Sequence, residues 1–348
     1  MSSGIGFKIW AAGAVLLAAA TSVAAGQGAN PPSTRLGVVQ QLRQNIDTGH
    51  ADEALKRIAV LRTQGSTEPG LSGVEGLALY TQGNLRGADE AFRVAMQEDA
   101  SDLESVQMRG LTLFRLGRPA DAIPLLEASK AKTDGKSDPN YVLGLCYMDT
   151  RKYDEARHSF AAQYGFAPDS APAYLISARM MLRRESLPIA KQYAEKALTI
   201  EPTLPLAHEL MGEIELAGNH LDEAIREFEA EKKHNPLEGS VYDRLGDAYV
   251  RAAKYDEAER SLQEALLLEP NATGPYILLG KTLLKKGDPL GAETYLQRAN
   301  ALDPANYMTH SLLSQAYRAM GRKDDATREN ETAQKIQTAS EPKLSDVR

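Results

Sequence analysis

The sequence predicts an all-α solenoid of helix-turn-helix repeats, because small residues and prolines recur every 34 residues in independent columns. One column consists of alanines: Ala54, Ala88, Ala122, Ala156, Ala190, Ala224, Ala258, Ala292 and Ala326. A second column in the same register is mostly glycine: Gly76, Gly110, Gly144, Ala178, Gly212, Gly246, Gly280 and Ser314. A third column is proline: Pro168, Pro202, Pro236, Pro270 and Pro304. Separate columns that share one spacing over most of the chain indicate a genuine internal repeat.

The first 25 residues have the layout of a secretory signal peptide. Lys8 precedes a short apolar segment, residues 9–20, and small residues follow up to Ala25, where cleavage is expected. An uncleaved anchor in the inner membrane is the alternative, although the segment is short for a membrane span. The chain is therefore expected to act in the periplasm or outside the cell, without membrane insertion after cleavage. Residues 26–34 are expected to form a flexible leader.

Each repeat unit predicts two short amphipathic helices, as residues 239–272 illustrate. Tyr242 and Tyr249 recur at helical spacing in the first half of this unit. Asp256 suits the first turn of a second helix, where a carboxylate meets free N–H groups and the positive end of the helix dipole. Pro270 then ends the second helix and turns the chain toward the next unit.

Other columns fit the same pair of helices. The acidic column at the start of the second helix contains Asp52, Asp154, Asp222, Asp256 and Asp324. Prolines expected near the same position, where a missing N–H does little harm, are Pro119, Pro188 and Pro289. The turn between the two helices carries Gly49, Gly83, Gly117, Gly287 and Gly321. We expect Gly246 and Ala258 to lie where the two antiparallel helices approach most closely.

This pattern resembles the tetratricopeptide repeat family, in which leucine, an aromatic residue, glycine, alanine and proline recur over 34 residues. The resemblance divides the chain into nine units: 35–68, 69–102, 103–136, 137–170, 171–204, 205–238, 239–272, 273–306 and 307–340. It implies a right-handed superhelical solenoid whose first helices line a concave groove that binds peptides or protein partners. The last unit is unusually polar, as expected of a repeat with no successor to cover it, and residues 341–348 are expected to form a polar tail.

Composition narrows the classes of partner. The formal net charge of −7 disfavours nucleic acid as the main partner. The single cysteine, Cys146, excludes an intramolecular disulfide and lies in an apolar helical run, so it is interpreted as a buried residue.

Residues that the resemblance places on the concave side of the first helices are the candidate binding site. The apolar members are Leu77, Tyr80, Leu111, Phe114, Tyr141, Leu145, Met148 and Leu175. The charged members are Arg179, Arg183, Asp243, Asp247 and Lys281. The groove is thus predicted to be apolar toward the N-terminal half and charged toward the C-terminal half. Such a gradient suits a protein or peptide segment with an apolar and a charged end, for example an amphipathic helix.

Two alternatives compete with partner binding at these positions. The apolar side chains can pack between neighbouring first helices, since the core of a solenoid continues from repeat to repeat. The charged side chains can belong to an ordinary solvated surface.

No sequence pattern predicts catalysis, a cofactor or a metal site. The six histidines lack metal-ligand spacing, and no nucleophile motif or phosphate-binding loop occurs. The recurring acidic pairs follow the repeat and are therefore attributed to helix starts. The sequence thus predicts a non-catalytic binding scaffold. The alternatives are a self-associating component of an envelope assembly and a glycan-binding element, for which Tyr80, Phe114 and Tyr141 would be the aromatic candidates.

Overall fold

The computed structural model describes residues 37–130 and 139–340, which form eighteen α-helices and no strand. The helices are α1 Val38–Asp47, α2 Ala51–Thr63, α3 Leu71–Thr81, α4 Leu85–Glu98, α5 Leu103–Arg115, α6 Pro119–Lys130, α7 Asn140–Asp149, α8 Tyr153–Tyr164, α9 Ala171–Arg183, α10 Leu187–Ile200, α11 Ala207–Ala217, α12 Leu221–His234, α13 Gly239–Arg251, α14 Tyr255–Leu268, α15 Thr273–Lys286, α16 Pro289–Leu302, α17 Tyr307–Ala319 and α18 Lys323–Ser340. The predicted all-α class is confirmed. The expected signal peptide, leader and polar tail lie outside the described residues.

The helices form nine antiparallel pairs, each a first helix with an odd number and a second helix with an even number. A core of buried residues continues through the array, and Phe92, Phe160 and Phe228 are its largest fully buried side chains. Each of these phenylalanines lies on a second helix and packs against the first helix of its own pair. The repeat count agrees with the nine units of the sequence.

The glycine-rich column of the first helices exists because a large side chain packs directly on the backbone there. A Cβ atom added at Gly144 would lie 2.5 Å from Phe160 Cε1, which is far inside van der Waals contact. The side chain that meets Gly246 at this point is Leu262, rather than Ala258. The helix axes therefore approach closely because glycine leaves space for the side chain sixteen residues later.

The turn between the two helices of each pair requires a positive φ. The turn glycines Gly49, Gly83, Gly117, Gly287 and Gly321 all have φ between +72° and +86°. In four repeats the same position holds a residue with a side chain, at φ between +56° and +62°: Arg151, Glu185, Asn219 and Ala253. The turn geometry is thus the same in all nine pairs, although only five of them use glycine, the residue that adopts a positive φ without steric cost.

Side chains of the first helices also bind the repeat-ending prolines. The hydroxyl groups of Tyr242 and Tyr276 donate to the carbonyl oxygens of Pro236 and Pro270, at 3.0 and 3.1 Å, and His310 Nε2 lies 3.0 Å from Pro304 O. Proline leaves its carbonyl oxygen free because the helix has ended, and these bonds satisfy it. They join each of these first helices to the end of the preceding repeat.

The first helices lie on the inside of the curved array. Successive first helices other than α7 and α9 contact one another, for example α1 with α3 and α15 with α17, whereas no pair of successive second helices makes comparable contact within the described residues. The side of a curved layer on which neighbours are closer is its concave side. We call the surface of the first helices that faces away from the second helices the inner face. Over residues 37–130 and 139–340, no helix combines the length and hydrophobicity needed to cross a membrane.

Candidate binding groove

The apolar candidates form a half-buried strip along the inner face of α3, α5, α7 and α9. Leu77, Leu111, Leu145 and Leu175 are each partly exposed, and each packs at its base against the core of the solenoid. Tyr80 and Phe114 are partly exposed one turn after Leu77 and Leu111. Packing and partner contact are therefore compatible at these positions, since one side of each leucine contributes to the core and the other remains accessible.

Two candidates at the centre of this strip differ in accessibility. Tyr141 is 37% exposed, and its ring centroid lies 6.1 Å from that of Phe160. Met148 is only 6% exposed and belongs to the core between repeats, so its inclusion among the accessible groove residues is corrected. Met148 follows Tyr141 by about two helical turns on α7, and its flexible thioether packs in the core that α7 shares with the neighbouring repeats. We define the apolar trough as Leu77, Tyr80, Leu111, Phe114, Tyr141, Leu145 and Leu175.

Arginines border the apolar trough. The guanidinium of Arg115 lies over the ring of Tyr80, with its Cζ 4.6 Å from the ring centroid, and this contact joins α5 to α3. Arg183, at the end of α9, is exposed and has no ion-pair partner in the described residues. A cation held over an aromatic ring keeps its charge available to a ligand, because the ring replaces only part of its hydration.

An ion-pair chain crosses three repeats at the next part of the inner face. Glu213 on α11 lies 3.7 Å from Arg179 on α9 and 3.1 Å from Arg244 on α13. Arg179, a candidate site residue, is therefore partly neutralised by the neighbouring repeat. The sequence placed Arg179 on the inner face without indicating its partner, because residues of different repeats are brought together by the superhelical packing.

Asp243 is the most perturbed charge on the inner face. Burial raises the pKa of its carboxyl group to about 6, and nearby Asp247 and Glu269 act in the same direction, whereas Arg244 lowers it. One carboxylate oxygen, Oδ1, is buried and has no hydrogen-bond partner. The sequence allowed Asp243 to be an ordinary solvated aspartate. In the structure, most of its side chain is instead buried at the junction with the following repeat.

The other charged candidates, Asp247 and Lys281, have less unusual surroundings than Asp243. Asp247 pairs with Arg251 on the same helix, at 2.9 Å. Lys281 on α15 is half-buried on the inner face. Charges of both signs therefore alternate along α11 to α15, in contrast to the apolar trough.

Neither a metal centre nor an activated nucleophile emerges from the described residues. No group of three or more histidine, cysteine or acidic side chains there is arranged to hold a metal ion. Cys146 is buried, and burial raises the pKa of its thiol to about 12, which makes the nucleophilic thiolate rare at neutral pH.

Three family models, each described as a tetratricopeptide repeat, match the chain. They cover residues 239–272, residues 74–139 and 107–171, and residues 274–306. The chain contains tetratricopeptide repeats. The protein is therefore a repeat scaffold, as its helix pairs also indicate.

Two curated proteins are similar to these tetratricopeptide repeats. Cellulose synthase operon protein C of Xanthomonas axonopodis pv. citri (strain 306) is 24% identical over 283 residues, which is 78% of this chain and 17% of that protein. The CTR9 homolog of Arabidopsis thaliana is 22% identical over 263 residues, which is 72% of this chain and 24% of that protein. This chain thus spans less than a quarter of the length of either relative.

Solved tetratricopeptide-repeat structures match parts of the chain. The structure of YrrB, described as a protein with an unusual peptide-binding site, is 20% identical with a TM-score of 0.45, and the match covers 54% of this chain and 95% of YrrB. MamA from Desulfovibrio magneticus RS-1 is 20% identical with a TM-score of 0.47, covering 50% of this chain and 98% of MamA. A thermophilic protein of Thermus thermophilus, TTC0263, is 21% identical with a TM-score of 0.41, covering 48% of this chain and 91% of that protein.

Proposed function

We propose that this chain is a non-catalytic scaffold that binds a protein or peptide segment on its inner face. The observation that carries the proposal is the accessible side of the apolar trough. Its leucines and aromatic residues extend over four successive first helices and leave apolar surface open to solvent. A continuous apolar strip of this kind on a soluble protein is typical of a contact surface for a partner.

The arginines beside the apolar trough define the kind of segment that fits. Arg115 and Arg183 lie at the trough's edge, and Arg183 has no ion-pair partner among the described residues. An amphipathic segment would place apolar side chains on the trough and acidic side chains against these arginines. Electrostatic attraction of this type increases the rate of encounter and fixes the register of the bound segment.

Export of the scaffold is part of the proposal. Its support is the arrangement of Lys8, the apolar residues 9–20 and the small residues before Ala25. The partner is then sought in the periplasm or outside the cell, and an N-terminally anchored form is the alternative location.

Stacking of copies end to end is less compatible with the last repeat. Helix α18 turns Ala326 and Ala333 toward α17, and most of its remaining side chains are polar and exposed. A polar outer face closes the array instead of offering a surface to a second copy.

The test compares two leucine substitutions of the full chain. Leu111→Asp places a charge in the apolar trough, and Leu267→Asp places the same charge on a second helix, where Leu267 is 76% exposed. Each variant and the wild type are immobilised, and proteins captured from a cell-envelope extract are identified by mass spectrometry. We expect one or more proteins to bind the wild type and Leu267→Asp but not Leu111→Asp.

Thermal unfolding of both variants provides the control for folding. Cooperative unfolding of Leu111→Asp near the wild-type temperature, together with lost capture, would support the groove. Equal capture by all three proteins would contradict it, and so would a loss of capture that occurs only because Leu111→Asp is unfolded at the temperature of the capture experiment.

A further inference from the structure

A cavity lies at the N-terminal end of the inner face, lined by residues of α1, α3, α4 and α5. Its volume is about 390 Å³. The apolar part of its wall consists of Val39, Leu77, Phe92 and Ala95. This volume accommodates one long side chain together with part of a peptide backbone, and Leu77 joins the cavity to the apolar trough.

Two glycines create this space, one just before the first residue of α3 and one within α3. Gly70 and Gly73 line the cavity, whereas the next repeat carries Glu104 and Gln107 at the equivalent positions. A Cβ atom at Gly73 would lie 2.9 Å from Ser105 Oγ, so even alanine would narrow the cavity. The cavity is therefore a local property of the second repeat and not a feature of every repeat.

The polar part of the wall is strongly acidic. Glu98, Asp99, Asp102 and Glu104 line the cavity, and Arg43 is the one basic side chain among its lining residues. The formal charge of the lining is therefore −3. Each carboxylate already accepts a hydrogen bond from the chain, but a carboxylate has about four acceptor sites, so acceptors remain for a ligand.

Arg43 shows how a guanidinium is held at this wall. Its two terminal nitrogens, on α1, donate to both carboxylate oxygens of Glu104 on α5, at 2.5 and 2.7 Å. This bidentate pair passes over α3 where Gly70 and Gly73 lack side chains. The three remaining carboxylates of the wall have no arginine or lysine bound to them in the described residues.

We propose that the cavity binds an arginine or lysine side chain of the partner segment. The aliphatic stem of that side chain packs on the partly exposed Leu77 and Val39, and its cationic group meets the carboxylates of Glu98, Asp99 and Asp102. Burial of the stem with the charge at the edge is how long basic side chains are accommodated at apolar surfaces. The inference rests on the proposed function, because the cavity adjoins the same apolar trough.

A metal ion is a poorer occupant of this cavity than a basic side chain. The carboxylates belong to different turns and helices, and no three acidic or histidine side chains of the described residues converge in the way a metal ion needs. An elongated cation bridges such dispersed charges, since its hydrogen-bond donors and its apolar stem occupy different parts of the cavity.

The inference is tested by NMR titration of the full chain with the short peptide acetyl-Ala-Leu-Arg-Leu-Ala-amide. A second peptide carries citrulline, which has nearly the shape of arginine but no charge. We expect the backbone amide signals of Gly70 and Gly73 to shift with the arginine peptide. The citrulline peptide should bind about tenfold more weakly, which corresponds to a loss of about 1.4 kcal/mol in binding free energy.

Matched variants separate the cavity from general charge effects. The double variant Glu98→Gln and Asp99→Asn keeps the hydrogen-bond acceptors but removes two charges from the wall. Glu53→Gln with Asp324→Asn removes the same two charges from exposed positions on second helices. Binding of the arginine peptide should weaken about tenfold in the first double variant and stay unchanged in the second.

Three results would overturn the inference: no shift at Gly70 or Gly73, equal affinity for the citrulline peptide, or equal weakening in both double variants. Leu77 belongs to both the cavity and the apolar trough, so occupation of the cavity itself is read from Gly70 and Gly73 and from the Glu98→Gln and Asp99→Asn variant. The capture comparison with Leu111→Asp reports separately on the proposed function.

Discussion

Asp243 illustrates how the position of one residue in the superhelix changes its chemistry. Its carboxyl group lies at the junction of α13 with the next repeat, where Gly274 leaves space for it and Glu269 is nearby. Desolvation is the largest cause of its raised pKa, followed by the opposing influence of Arg244. A carboxylate that loses hydration without gaining a hydrogen-bond partner opposes folding when it is ionised.

The raised pKa of Asp243 predicts a pH-dependent gain in stability for Asp243→Asn. The folded protein retains the proton up to a pH of about 6, whereas the unfolded chain loses it near 3.8, so wild-type stability falls as pH rises between these values. At pH 7.5 we expect Asp243→Asn to be about 1–3 kcal/mol more stable than the wild type, and at pH 3.5 nearly equal to it. Urea unfolding at both pH values measures this, with Asp324→Asn as an exposed control. Equal stability at pH 7.5 would contradict the assignment.

The turn column predicts a second effect at the residue scale. Ala253 adopts φ +56°, whereas Gly287 adopts φ +83° at the same position of the next repeat. Ala253→Gly should raise the free energy of unfolding by about 0.5–1 kcal/mol, because relief of the left-handed conformation outweighs the greater freedom of glycine in the unfolded chain. Gly287→Ala is the reciprocal control and should lower the free energy of unfolding by a similar amount. Changes of the same sign in both variants would disprove this account of the turn.

The sequence predicted these positions only in part. The turn glycines recur every 34 residues and identified the column, but the four repeats without glycine could be assigned to the same geometry only by their register. The burial of Asp243 could not be predicted, because it depends on the packing of the following repeat. The same reason explains why Tyr141 and Met148, seven residues apart, differ so much in exposure.

At the scale of the helices, pairs of residues sixteen apart determine how closely the two helices of a repeat approach. Gly144 faces Phe160 and Gly212 faces Phe228, while Ala178 occurs in the repeat where the residue sixteen later is the small Ala194. Glycine on the first helix thus accompanies a large side chain on the second helix, whereas alanine at the same position accompanies a small one.

This pairing predicts a coupled effect of substitutions at Gly144 and Phe160. Gly144→Ala alone should lower the free energy of unfolding by about 1–3 kcal/mol, because the new methyl group overlaps the phenylalanine ring. In the background of Phe160→Ala, the same substitution should be neutral or stabilising, since space is available and alanine favours the helix. A double-mutant cycle by chemical unfolding measures the coupling. Equal effects of Gly144→Ala in both backgrounds would contradict the predicted contact.

The contact between first helices and repeat-ending prolines was missed in the sequence, although a signal for it exists. Tyr242, Tyr276 and His310 occur at the same position of successive units, each six residues after the proline whose carbonyl oxygen it contacts. A column of hydrogen-bonding rings next to a column of prolines therefore predicts such bonds. The bidentate pair of Arg43 and Glu104 had no comparable signal, since it occurs once and joins the first repeat to the third across the second.

For the molecule as a whole, the repeat period predicted the fold class and the helix pairs, because each unit contacts mainly its neighbours. The inner face was expected from the family resemblance. The apolar character of the N-terminal half of the groove was also visible in the sequence. The cavity at Gly70 and Gly73 was not, because it depends on how α1, α3, α4 and α5 of three repeats pack together. The proposed scaffold would hold one segment along the inner face, with a basic side chain in the cavity and acidic ones near Arg115 and Arg183.

The central claim, that the partner lies on the apolar trough, is tested most directly by site-specific photocrosslinking in the cells that produce the protein. The photoreactive residue p-benzoylphenylalanine replaces Tyr141 on the inner face in one variant and exposed Leu267 on a second helix in the other. We predict a discrete crosslinked species from position 141 after irradiation, and none of the same mass from position 267. A crosslinked partner obtained only from position 267, or equally from both positions, would contradict binding on the inner face.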